Sequence, residues 1–357
     1  MFKKNILVIL LTTLGLFLIF CAMFYQYQIA PVDKTSKAEI EVIIPKGMST
    51  VNISKLLYNK NLTKNNWFLP IYLKLKRSNS LKASAYLLRK NMSLDEIIET
   101  ISKASTYNPD EVKITFKEGE KITDYANTVA TNTTNTYEDF INTVNDKTYL
   151  KELISKYWFL TDDILSDSIY YKLEGYLAPD TYIFKNKKVS CKTIIEKMLV
   201  EEDKKLTPYK KFLTTNSNFS IHNYVTLASI VEKESIFTKD EPIIAQVFYN
   251  RLNSKMNLGS DVTTYYGIQK EMTEDLTAQE INSKNAYNTR NVNMAGLLPI
   301  GPICNPAIEN IKAVLNPKDN DYLFFVADKK GKVYYSKTEA EHNKKIKEIK
   351  ESGNWIW

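Results

Sequence analysis

From Ile6 to Tyr25 the chain is apolar at nearly every position (ILVILLTTLGLFLIFCAMFY), interrupted only by Thr12 and Thr13 and free of charge. A helix needs about 20 such residues to cross the hydrocarbon layer of a bilayer. Lys3 and Lys4 precede the run, and the positive-inside tendency keeps them cytoplasmic, so the remainder of the chain is expected outside. A cleaved signal peptide is the rival reading, but the run is longer than the usual signal core and no A-x-A-like site follows it. A lipoprotein signal would have to use Cys21, and the bulky Phe20 stands where a small residue belongs. Residues 1–25 are therefore read as a cytoplasmic tip and single-pass transmembrane anchor. The polar stretch 26–38 is read as a linker.

After the linker one pattern recurs three times. Glu39–Pro45 alternates in part like a strand, Lys46–Ser49 reads as a turn with a Ser cap, and Thr50–Leu57 as a helix. Ala83–Arg89, Asn91–Ser93 and Leu94–Ile101 repeat the order, as do Val112–Phe116, Glu118–Glu120 and Ile122–Ala126. This order resembles the strand–turn–helix opening of LysM-type modules, which implies a glycan-binding region over 39–130. On pattern alone, a generic small α/β domain fits equally well. Residues 127–170 read as mainly helical and polar, and Cys191–Lys205 as an amphipathic helix. From about Ser220 apolar segments become denser, and Tyr170–Phe184 is expected to fold onto them. The fold class is thus α+β: an N-terminal transmembrane helix, a small LysM-like α/β domain, and a mixed α/β region over 131–357.

Composition narrows the function classes. With 357 residues, 44% hydrophobic and 25% charged, most of the chain is globular. The net charge of +7 is carried mainly by lysine and suits a neighbourhood of anionic wall polymers or lipid headgroups. Nucleic acid is disfavoured, because the charges are scattered and the chain carries an export signal. Outside the anchor only Cys191 and Cys304 remain, which allows one bridge but no disulfide framework. Two histidines, His222 and His342, argue against a His-rich metal centre, and no metal or cofactor is expected.

The chemistry is sought on Tyr224–Ser235. At helical period Tyr224, Leu227, Ile230 and Val231 share one apolar face, and Glu234 falls in its middle, while Lys233 points away and Glu232 lies at the margin. A carboxyl group on an apolar face resists ionisation. A protonated acid is what glycosidic cleavage needs, because the leaving oxygen must receive a proton. The plain alternative is a solvated helix-end glutamate, or one paired with Arg251. Ordinary glycosidases use a second carboxylate. Glu232, Glu174 and Asp261 are candidates, and spacing fixes none of them.

Five ordered blocks resemble the YceG-like endolytic murein transglycosylases over essentially the whole chain: Leu227–Glu234 (LASIVEKE), Leu173–Tyr182 (LEGYLAPDTY), Ala245–Leu252 (AQVFYNRL), Ala286–Thr289 with Gly296–Ile303 (AYNT…GLLPIGPI), and Tyr322–Asp328 with Glu341–Asn343. There are departures. Gly259–Gly267 (GSDVTTYYG) lacks the Gln and Pro of the usual Q-x-D-P-T-x-x-Y-G stretch, Leu298 and Ile300 replace prolines, and Arg290 stands where a Tyr usually follows YNT. The resemblance implies that 131–357 is the catalytic region and that it cuts the β-1,4 bond between N-acetylmuramic acid and N-acetylglucosamine. Glu234 would act as acid and then as base, leaving a 1,6-anhydro end, with Glu232 as fallback. It further implies nascent peptidoglycan strands as substrate, the membrane as location and wall synthases as partners. Supporting roles in substrate binding are expected for Glu232, Ser235, Glu174, Asp180, Asn250, Arg251, Asp261, Tyr265, Tyr266, Tyr287, Asn288 and Thr289, each with a plain structural alternative in turns, core packing or ion pairs. A hydrolytic muramidase and a non-catalytic wall-binding scaffold are the competing functions.

Overall fold

The computed structural model of the protein describes residues 2–76, 81–215 and 219–355. The chain divides into two compact units, Met1–Asp110 and Glu111–Trp357.

The first unit opens with α1 (Phe2–Ile29), which runs a full turn beyond the apolar stretch; its Ile6–Ile29 segment is long and apolar enough to cross a membrane. Then follow β1 (Glu39–Ile44), α2 (Thr50–Asn59), α3 (Phe68–Lys76), β2 (Ser84–Arg89) and α4 (Leu94–Ser102). β1 and β2 pair antiparallel, with Glu39 opposite Arg89 and Ile44 opposite Ser84. Strand alternation turns Val42 and Ile44 inward and Glu41 and Ile43 outward. Ser49 caps α2, and Ser93 with Glu96 closes a reciprocal capping box on α4. Leu57, Leu88, Ile97 and Ile101 sit at the centre of this unit's own core.

The third strand–turn–helix copy lies in the second unit. β3 (Val112–Phe116) pairs antiparallel with β4 (Asp180–Phe184), Val112 opposite Phe184, and α5 (Ile122–Asn132) follows β3. Local period showed the strand but not its partner, which lies far along the chain. α6 (Tyr137–Val144), α7 (Lys147–Lys156), α8 (Cys191–Leu206) and α9 (Lys210–Thr215) precede α10 (Ile221–Glu234). α11 (Glu241–Asn253), α12 (Asp261–Gly267), the single-turn α13 (Ala278–Ile281) and α14 (Ile308–Leu315) come next. The hairpin of β5 (Phe324–Ala327) and β6 (Val333–Ser336) and then α15 (Glu339–Glu351) complete the unit.

α10 is the axis of this unit. Helices α9, α11, α12 and α14 all pack on it, so every residue from Tyr224 to Val231 is buried, not only the expected apolar face. Ser229 Oγ donates to Thr226 O at 2.7 Å and accepts from Ile303 N at 3.0 Å, whereas the buried Thr226 hydroxyl has no hydrogen-bond partner among the described residues. Cys191 and Cys304 are both buried and both free, so the bridge that the sequence allowed is not formed.

Candidate active site

α10 ends at Glu234 because Ser235 turns to extended backbone (φ −91°, ψ 134°) while its N–H still donates to Val231 O at 2.9 Å. Glu234 is half-buried, and its Oε1 accepts a 2.6 Å hydrogen bond from Ser260 Oγ. Burial pushes its carboxyl above the ordinary range, and the Asp261 charge pushes the same way. The Ser260 hydrogen bond and the cations of Arg251 and Arg290 oppose this without reversing it.

Ser260 is the residue that the sequence reading missed. Gly259-Ser260-Asp261 looks like a helix start, and Ser260 is indeed the N-cap of α12, yet its side chain makes no capping bond. Its hydroxyl donates to Glu234 instead. A network beneath it holds it in place: Ser260 N donates to Thr289 Oγ1 at 3.1 Å, Thr263 Oγ1 donates to Ser260 O at 2.7 Å, and Thr263 and Thr289 share a 2.8 Å bond.

Glu232 and Glu234 are two residues apart, roughly 200° around a helix. Glu232 therefore faces α14, where its Oε2 accepts from Ala307 N at 2.9 Å and Asn310 Nδ2 at 2.5 Å, covering the open N-terminus of that helix. Glu174 is buried at 1% exposure. It accepts from Ile122 N at 3.0 Å, Tyr266 OH at 3.0 Å and Asn305 Nδ2 at 3.1 Å, and burial pushes its carboxyl up to about 8. Of the three candidate second carboxylates only Asp261 lies near Glu234, and it is tied to Arg290 Nη1 at 2.5 Å. Arg290 is one of the positions that depart from the resembled pattern, and this ion pair ties it to the candidate site. Asp180 is remote in role: it begins β4 and lies 3.7 Å from Lys205.

Several expected substrate contacts have their polar atoms engaged inside the protein. Asn288 and Thr289 are fully buried. Asn288 Oδ1 accepts from Thr264 Oγ1 at 2.7 Å, and its Nδ2 donates to Ile281 O and Ser283 O, each at 2.9 Å. Asn250 Nδ2 donates to Asn320 O and Tyr322 O. Arg251 closes no ion pair with Glu234; its Nε donates to Leu323 O and its Nη1 to Leu258 O, both at 2.6 Å, so its charge acts through space. Tyr287 is fully buried against Tyr170 and Tyr266, with ring centroids 5.0 and 4.8 Å away. Tyr265 is half-buried and donates to Glu274 O at 2.6 Å. Ser235 Oγ, next to the acid, is buried and has no hydrogen-bond partner among the described residues.

The structure thus brings Glu234, Ser260, Asp261, Arg251 and Arg290 together, engages Glu232, Glu174 and Asn250 in hydrogen bonds within the protein, and leaves Asp180 exposed at the start of β4. A cavity of about 1070 Å³ lies at the other end of α10, against His222, Asn223 and Tyr224, roughly 15–20 Å along the helix from Glu234.

A mixed α/β scaffold whose central helix ends on a half-buried carboxyl group, Glu234, held by a serine hydroxyl is the class defined here. The chain belongs to the YceG-like family, whose model matches residues 42–348. It is similar to an endolytic murein transglycosylase of Bacillus subtilis (strain 168), 34% identical over 315 residues that cover 88% of this chain and 86% of that protein. It is also similar to an endolytic murein transglycosylase of Streptococcus pneumoniae serotype 2 (strain D39), 34% identical over 359 residues, 93% of this chain; the chain spans 64% of that protein's length. Among solved structures it is similar to a YceG-like protein of Listeria monocytogenes, with a TM-score of 0.61 and 35% identity over 87% of this chain and 99% of that one.

Proposed function

We propose that the protein is an endolytic murein transglycosylase that cuts the MurNAc–β-1,4–GlcNAc bond of nascent peptidoglycan strands. The observation that carries this reading is the Glu234 carboxyl, which burial pushes toward its protonated form and which accepts a hydrogen bond from Ser260. With Oε1 engaged by the serine, Oε2 is left to carry the proton. That proton passes to the glycosidic oxygen as its bond to the anomeric carbon breaks. The muramoyl 6-hydroxyl then attacks the anomeric carbon and returns its proton to the Glu234 carboxylate. The products are a free N-acetylglucosamine 4-hydroxyl and a 1,6-anhydro end; no water is consumed and the acid is regenerated.

This chemistry needs no second carboxylate, in contrast to ordinary hydrolysis. The posts of Glu232 and Glu174 away from Glu234, and the pairing of Asp261 with Arg290, support the lytic reading over a hydrolytic one. The β1–α2–α3–β2 order of the first unit supports a LysM-like glycan-holding role, α1 supports a single-pass anchor, and Lys3 and Lys4 before it support placing the rest of the chain outside. The names of the relatives point to the same substrate. Mass spectrometry of the products made from purified glycan strands tests the proposal. Anhydro ends from wild type and none from Glu234→Gln are expected; reducing ends would assign a hydrolase, and unchanged turnover by the variant would remove Glu234 from the chemistry.

A further inference from the structure

Helix α3 is apolar on two faces. One face, Phe68, Leu69, Tyr72 and Leu73, is buried in the core of the first unit. The other is not covered: Trp67, just before the helix, is 50% exposed, Ile71 45% and Leu75 66%. These three residues follow one another at a spacing of four, so they form one stripe. A large exposed apolar stripe marks a surface that protein or lipid covers, and here Ile71 and Leu75 stay exposed while the Trp67 ring stacks on Phe24.

The stripe starts where α1 would leave a bilayer. Counting about 20 residues from Ile6 puts Phe24 and Tyr25 at the outer edge of the hydrocarbon layer. Phe24 stacks on Trp67, ring centroids 6.2 Å apart and planes 15° from parallel, and Tyr25 stacks on Tyr72 at 6.3 Å and 11°. Lys64 Nζ fastens the same corner by donating to Tyr27 O at 2.8 Å and standing 3.9 Å from the Tyr27 ring centre. Trp67 thereby shares the depth of Phe24, the level at which tryptophan and tyrosine gather in membrane proteins. Lys74 is exposed on the stripe side of α3, one turn from Ile71, and Lys76 is exposed at the helix end. Ammonium groups beside an apolar stripe are placed to reach anionic headgroups while their stems lie along the acyl boundary.

We propose that the Trp67–Ile71–Leu75 face seats in the outer interfacial layer of the bilayer that α1 crosses, so that lipid grips the first unit at a second place besides the anchor. This rests on the reading of α1 as a membrane anchor. Such a grip limits how far the unit can swing on its anchor.

The test uses the full chain in vesicles of phosphatidylcholine and phosphatidylglycerol in equal parts. Cys21→Ser removes the exposed native thiol, and Leu75→Cys adds one at a solvent-facing position, which an environment-sensitive fluorophore then labels. Circular dichroism confirms the fold. The expected result is a blue-shifted emission that is quenched by lipid-borne bromine and is insensitive to aqueous iodide. A label quenched by iodide and untouched by brominated lipid, in a chain that survives alkaline extraction with the vesicles, overturns the proposal and leaves the anchor standing. A label shielded from both quenchers assigns the stripe to protein, a second copy included, and also overturns it. Loss of the whole chain at alkaline extraction overturns the anchor reading together with this one.

Discussion

Ser260 Oγ donates to Glu234 Oε1 at 2.6 Å from a position where serine ordinarily caps its own helix. Donation favours the ionised carboxylate, so this contact holds the acid's pKa below where burial and Asp261 alone would put it. Ser260→Ala should therefore move the acid's pKa further up. A hydrogen bond to a charged group contributes about 1.5 kcal/mol, which corresponds to about one pH unit. The basic limb of the pH–rate profile, where the acid loses its proton, should shift upward by that order. Arg251, Arg290 and Asp261 remain in place in the variant. Ser260→Thr keeps the hydroxyl and should restore the wild-type limb. A limb that stays put in Ser260→Ala would show that the serine only packs.

The two glutamates at the end of α10 should separate cleanly. Glu234→Gln removes the proposed general acid, and a loss of roughly 10³-fold or more in cleavage is expected. Its stability should respond in the opposite sense. The folded-state pKa of Glu234 is raised, so its contribution is fully present below the unfolded-state pKa and is lost as pH rises through the folded-state value. Glu234→Gln should thus melt at the same temperature as wild type or higher on the alkaline side, with the difference vanishing in acid. Glu232→Ala should instead cost about 1 kcal/mol by uncovering the N-terminus of α14, and Glu232→Gln, which keeps an acceptor for Ala307 N, should cleave normally. If Glu232→Gln is dead and Glu234→Gln active, the assignment reverses.

What could be read from the sequence follows from what is local. The 3.6-residue period set Glu234 in line with Ile230 and Val231 of α10, and caps such as Ser49 and Ser93 marked helix starts that the structure keeps. The partners of Glu232 and Glu174 lie at Ala307, Asn310, Ile122, Tyr266 and Asn305, dozens of residues or more away. No period or spacing links such pairs, so the three carboxylates look alike in the sequence. Asn288 and Thr289 mislead for a related reason. Turn residues suggest an exposed loop, whereas tertiary packing buries this one and uses its polar atoms to stitch α12 in place.

Glu174 makes a separate case about stability. Its carboxyl joins α5, through Ile122 N, to α12, through Tyr266 OH, and to the Asn305 segment. Glu174→Ala leaves these buried donors without an acceptor, at a cost of about 3 kcal/mol or more by urea denaturation. In wild type the folded-state pKa of about 8 lies above the ordinary value of 4.5. The folded protein binds the proton more tightly, so stability should decline as pH rises between those values. Glu174→Gln cannot ionise. Its stability, though lower, should lack this component of the decline, and a wild-type decline retained in full in the variant would place its origin elsewhere.

Gly175 and Gly47 both hold a left-handed backbone, φ +86° and +84°, but differ in surroundings. A Cβ at Gly47 meets nothing within 4 Å, so Gly47→Ala should cost only the conformational penalty, about 1–2 kcal/mol. A Cβ at Gly175 would lie 2.5 Å from Pro302 Cβ and 2.9 Å from Val225 Cγ1. The proline ring cannot rotate away, and Val225 is a core residue of α10. Overpacking adds about 1–3 kcal/mol, and the displaced helix is the one that carries Glu234. Gly175→Ala should therefore lower both the melting temperature and kcat, whereas Gly47→Ala should lower the first slightly and leave kcat alone. Equal effects from the two substitutions would mean that the contact of Gly175 with Pro302 does not set the position of α10.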